Sequence, residues 1–212
     1  MEKERSHAWK VFMREYFEQD PYMRWHDGPA EGILKDLVGD ERSEAEDLLI
    51  KSMLEGDEYA AEGLAELKST KALPFLKKKC KESAYSVRLK TAYAIELIEG
   101  KGEYIPVIID LMQDMRSEGI RLWSAHYLRD FPTEQVINAL YEAILDPKEL
   151  VRVNAFESLL CIHGMKGYAS DHNKIFKLIM YDQEEKKDIN MKEEYSKAVE
   201  LMKELFKDKR IV

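Results

Sequence analysis

Residues 87–95 read VRLKTAYAI, residues 120–128 read IRLWSAHYL and residues 151–159 read VRVNAFESL. Aligned on Val87, Ile120 and Val151, each stretch has an apolar residue followed by an arginine: Arg88, Arg121 and Arg152. Four and five positions on stand Thr91-Ala92, Ser124-Ala125 and Ala155-Phe156, and at the eighth stand Ile95, Leu128 and Leu159. Steps of four and eight return to one face of a helix that turns by about 100° per residue, so each stretch predicts a helix with one buried stripe. A looser copy runs through Tyr59, Gly63-Leu64 and Leu67. The four anchors are 28, 33 and 31 residues apart. Such a period points to helical hairpins stacked side by side, because one hairpin alone cannot bury its apolar face.

Outward from these helices, each has a helical segment before it. The spacing predicts pairs at 73–81 with 85–99, 104–115 with 118–130, and 133–145 with 149–163. The first pair is expected to open at Ser43, where Ser43 and Glu46 make a capping box. Ala45, Leu48, Leu49, Ser52 and Met53 follow as its inner stripe, and Gly56-Asp57 separates it from a helix over 58–68. The outer segments read as caps for the open ends of the array. An amphipathic helix over 2–19 carries Trp9, Phe12, Met13, Tyr16 and Phe17 and stops at Asp20-Pro21; Asp27-Gly28-Pro29 starts a short helix to residue 38. Helices are expected at 173–181 and 191–206, either side of QEEKKDIN at 183–190. The chain thus divides into an acidic helical cap (1–42), a repeat array (43–164) and a second helical cap (165–212).

Composition agrees with an all-α chain. Of 212 residues, 45% are hydrophobic and 35% charged, with only 10 Gly and 6 Pro to serve tight turns. The net charge is −8, which disfavours a general nucleic-acid binder, since such proteins need an excess of Lys and Arg. Residues 1–60 hold sixteen acidic and eight basic side chains, while 61–212 hold twenty-five of each. That acidic region is either a solvated face or a surface that steers a basic partner. The first ten residues, MEKERSHAWK, carry charge where an export signal would be apolar, and apolar runs such as 107–109 are too short to span a membrane. A cytoplasmic location is expected, with Cys80 and Cys161 as buried, reduced thiols.

The second-helix signature, with Asp57, Asp114 and Asp146 just before three of the four copies, resembles the HEAT and HEAT-like repeats over about residues 43–164. The resemblance implies a right-handed α-α superhelix. It also implies that Arg88, Arg121 and Arg152 form a structural ladder to the turn aspartates. Two departures stand out: Ala60 replaces the arginine in the first copy, and Ser83-Ala84 replaces the aspartate in the second. In stacked hairpins of this kind the second helices line the concave side, and positions three, six and seven from each anchor are expected to face the groove. These are Trp123, His126 and Tyr127, flanked by Lys90 and Tyr93 on one side and by Asn154, Glu157 and Ser158 on the other. An aromatic cluster with polar flanks has the composition of a binding hot spot. The alternative for Trp123 is packing against the following repeat.

No catalytic residue, metal or cofactor is assigned. The chain has no HExxH, no His-Glu dipeptide for the iron site of HEAT-type hydroxylases, and no GxGxxG, GxxxxGK[ST] or GxSxG. His163, Asp171 and His172 are the nearest approach to a metal-ligand group, and read better as surface polar residues. The favoured function is therefore a non-enzymatic scaffold for a protein or peptide. One alternative is an immunity or antitoxin-type protein that masks a basic toxin with the acidic amino-terminal region. Another is a HEAT-like DNA glycosylase using Trp123 and Asp130. A phycobilin-lyase-like role has no specific residue in its support.

Overall fold

The computed structural model describes residues 4–20, 22–23, 28–30, 32–180 and 190–212. Among them every regular element is helical. Contacts divide the chain into two compact units, Met1–Tyr104 and Ile105–Val212, so the boundary falls inside the stretch read as one array.

In the first unit, α1 (His7–Met13) runs into a π-helical turn (Arg14–Glu18), followed by α2 (Gly39–Glu55), α3 (Tyr59–Glu66), α4 (Leu73–Glu82) and α5 (Tyr85–Glu99). Helices α2 and α3 form one hairpin, α4 and α5 another, and α3 packs on α5. In the second unit the order is α6 (Ile105–Met112), α7 (Glu118–Leu128), α8 (Glu134–Ala143), α9 (Glu149–Ile162), α10 (Asn173–Ile179) and α11 (Met191–Phe206). Here α6/α7 and α8/α9 are the hairpins, with α7 against α9 and α6 against α8.

The aligned stripe is the core of both units. Gly63, Leu64, Leu67, Thr91, Ala92, Ile95, Ile120, Ser124, Ala125, Leu128, Val151, Ala155, Phe156 and Leu159 are all buried; the anchors Tyr59 and Val87 are half-buried. Each fully buried leucine contributes about 1.5–3 kcal/mol. The small residues let α7 and α9 approach closely, and the Ser158 hydroxyl crosses the gap to donate to the Ala125 carbonyl at 2.7 Å.

The three turn aspartates do one local task. Asp57, Asp114 and Asp146 each accept, through Oδ1, the backbone N–H two residues on, from Tyr59 (3.1 Å), Arg116 (3.0 Å) and Lys148 (2.8 Å). This Asx turn sets up the following helix. The turn without an aspartate, Ser83-Ala84, leads instead into Tyr85 at a left-handed φ of 51°, a strained conformation for a residue with a Cβ. Ahead of Asp57, Gly56 takes φ 112° and returns its N–H to the Met53 carbonyl, ending α2.

Some expectations shift. Helix α2 begins at Gly39, a full turn before Ser43, which lies exposed within it. Asp40 and Glu41 already supply the negative charge that a helix start favours, and Glu41 also accepts the backbone N–H of Ser6, the residue capping α1. The segment read as a short helix to residue 38 forms turns instead. Leu34 and Leu37 anchor it in the core, and the Glu66 carboxylate takes the N–H groups of Gly32 and Leu34 at 3.2 and 2.7 Å. Asp27, Pro21, residue 181 and most of 183–190 lie outside the described residues. Both end segments pack within their own unit: Tyr16 lies on Gly63 of α3, while Tyr195 and Phe206 of α11 pack on Arg152 and Phe156 of α9.

Candidate binding face

Helix α7 has two unlike sides. On the inner side, Arg121 is 2% exposed. Its Nε and Nη2 meet Oδ2 and Oδ1 of Asp146 in the next turn at 2.6 and 3.2 Å, and its Nη1 donates to the Asp114 carbonyl at 3.4 Å. Arg152, at the same position in α9, is 0% exposed. It donates Nη1 to the Asp146 carbonyl and Nε to the Ile179 carbonyl, both at 2.6 Å, and stacks over the Tyr195 ring at 4.2 Å. Each arginine ties the turn before its own helix to an element that follows, Arg121 through the carboxylate of a turn aspartate and Arg152 through backbone carbonyls. The third differs: Arg88 is exposed, so its guanidinium is not part of the buried set.

On the outer side, Trp123 is 51% exposed. It meets the half-buried His126 edge-to-face, with ring centroids 5.3 Å apart. Burial holds the His126 pKa below its usual value, the nearby Arg129 charge lowers it further, and Asp130 acts in the opposite sense. Tyr127 tilts against Trp123 at 6.0 Å but is only 7% exposed, which corrects its assignment to an open groove. The seventh position turns about 700°, close to two full turns, and so returns to the anchor's own face. Ser158, at the same step in α9, is buried for that reason.

The flanking residues have structural tasks. In the first unit, Lys90 sits 3.5 Å over the Tyr59 ring and within 3.6 and 3.7 Å of Glu62 and Glu58, and Tyr93 is half-buried on the same helix. In the second unit, Asn154 donates to the Leu150 carbonyl at 2.9 Å, and Glu157 accepts the Ala169 N–H at 3.2 Å. Of the candidate residues, Trp123, His126 and Tyr127 form one ring cluster, with Trp123 and His126 reachable from solvent.

Sequence reasoning missed Arg129, which caps the end of α7 with right-handed helical backbone. It extends the i, i+3 stripe of Trp123 and His126 by one more step. Its guanidinium is half-buried, and its Nε and Nη2 are out of solvent contact without an acceptor. The repeated spacing of three was the signal that could have found it.

The residues considered for a metal are differently employed. His163 stacks face to face on Phe206 at 4.3 Å, His172 meets Phe156 edge-on at 5.5 Å, and Asp171 accepts the Tyr168 N–H at 2.8 Å. Asp130, named for the glycosylase alternative, is exposed. Of the thiols, Cys80 is buried with its pKa pushed up by that burial, whereas Cys161 is exposed, contrary to its expected burial.

His163 also borders a cleft of about 390 Å³ with Tyr141, Lys203 and Phe206. Both of its ring nitrogens are buried without a hydrogen-bond partner, and burial lowers its pKa. The unfolded chain therefore takes up this proton more readily, and His163 costs stability as pH falls below about 6.5. Comparing urea midpoints at pH 7 and pH 5, we expect His163→Phe to lose less stability than the parent; an equal loss would show that this ring does not set the dependence.

The chain matches no known family, no curated protein and no solved structure at a significant level.

Proposed function

We propose that this protein is a non-enzymatic scaffold that holds a protein or peptide against the outer side of its second helices. In this reading the hairpins are HEAT-like and continue as a right-handed α-α superhelix, with α7 at the centre of the concave face. The exposed Trp123 carries the reading. A large ring left half in solvent, on a helix whose other side is fixed by Arg121, is the rigid aromatic anchor that binding hot spots favour. Rigid helices also avoid the cost of ordering the contact residues when a partner arrives.

A random-peptide display selection on the intact protein tests this. Trp123→Ala is expected to weaken the enriched peptides by about tenfold or more, as a hot-spot truncation costs about 2 kcal/mol. The thermal midpoint should move by no more than about 1–2 °C. Peptides that bind the variant undiminished, or a selection that enriches nothing, would remove the proposal.

A further inference from the structure

The outer stripe of α7 is aromatic at one end and cationic at the other. Trp123 offers an exposed indole, His126 stands against it at 5.3 Å, and Arg129 follows three residues later. Among the described residues the Arg129 guanidinium has no hydrogen-bonding or ionic partner, and its Nε and Nη2 lie out of solvent without an acceptor. Those two donors are closed to a ligand, so an incoming carboxylate would meet the guanidinium at Nη1, where it would supply the charge-assisted hydrogen bond that this cation lacks. Its charge is felt locally, since it lowers the His126 pKa more than Asp130 raises it. By contrast, Arg121 is already bound to Asp146 and Lys90 is shared between Glu58 and Glu62.

From this arrangement we infer that the ligand of the α7 face is an acidic peptide segment, placing a carboxylate on Arg129 and a neighbouring apolar or aromatic side chain on Trp123. This inference rests on the scaffold reading and supplies its ligand chemistry. It also reverses the expectation of a basic partner, which arose from the acidic residues of the first sixty positions. The net charge of −8 opposes an acidic ligand at long range. In about 0.15 M salt, however, that repulsion is screened beyond roughly 8 Å, so a short carboxylate–guanidinium contact decides.

The test uses three capped, fluorescein-labelled twelve-residue peptides with alternating Phe, in which the remaining positions are all Glu, all Gln or all Lys. Fluorescence anisotropy at 0.15 M salt is expected to show the Glu peptide binding at least tenfold tighter than the other two. Arg129→Gln should bring the Glu peptide down to the level of the Gln peptide, a loss of about 10- to 100-fold, and leave the Gln peptide unchanged. Arg129→Lys keeps the charge and should restore part of the preference. Equal or tighter binding of the Gln or Lys peptide would overturn the acidic assignment and leave the scaffold reading standing. No binding by any of the three, together with a display selection that enriches nothing, would overturn both.

Discussion

Replacing Arg121 with alanine is expected to destabilise the protein by about 3–5 kcal/mol, because it strands the Asp146 carboxylate in a site shielded from water. Both side chains are nearly inaccessible, and the pair is joined by two hydrogen bonds at 2.6 and 3.2 Å. Asp146 Oδ1 also keeps the Lys148 N–H, so the loss falls mainly on Oδ2, which Arg121 Nε bonds at 2.6 Å. The corresponding change at the exposed Arg88 should stay within about 0.5 kcal/mol, the usual range for a surface substitution. Urea unfolding of the two variants checks both values. A double variant, Arg121→Ala with Asp146→Ala, should lose clearly less than the sum of the single losses, since neither charge is then left alone. Strict additivity would mean that the two residues act independently.

The second large effect is expected at Gly63. A Cβ placed there would lie 2.8 Å from the Tyr16 hydroxyl oxygen and 3.0 Å from two of its ring carbons. Tyr16 is 3% exposed and braced by Phe12 and Phe17, with centroids 5.5 and 6.5 Å away, so its ring has little room to withdraw. Gly63→Ala is a mild test, because better helix propensity returns up to about 1 kcal/mol. Gly63→Val gains less in propensity and adds bulk; it should cost about 1–3 kcal/mol through overpacking. Limited proteolysis should then cut the amino-terminal segment faster than the rest of the chain. Unchanged stability together with unchanged cleavage would show that Tyr16 does not hold this segment in place.

How far the sequence could be read depended on the range of the interaction. Helix α5 was predicted at 85–99 and α11 at 191–206, where they are found, because stripe and cap signals are local. The start of α2 was misplaced because the Ser43–Glu46 capping box competes with Asp40 and Glu41 one turn earlier, and spacing does not rank the two. The segment before α2 was misread for a different reason. Its backbone N–H groups are satisfied by Glu66, about thirty positions away, a contact that periodicity cannot reveal. At the candidate site, spacing left Trp123 open between groove and core, and it lies exposed; the step of seven also placed Tyr127 and Ser158 in the groove, and both are buried. Lys90 resembled an available cation in the sequence; its partners Glu58 and Glu62 come from the preceding hairpin. Arg129 lay one step beyond the pattern that was used.

In the proposed scaffold, α7 is structural on its Arg121 side and binds on its Trp123 side. Nuclear magnetic resonance of the indole N–H signals, with Trp123→Ala used for assignment, tests this most directly. On titration with the Phe/Glu peptide, the account predicts a progressive shift of the Trp123 signal and a stationary signal from Trp9, whose ring is buried beneath Arg5. A stationary Trp123 signal at saturating peptide, or a shift confined to Trp9, would contradict it.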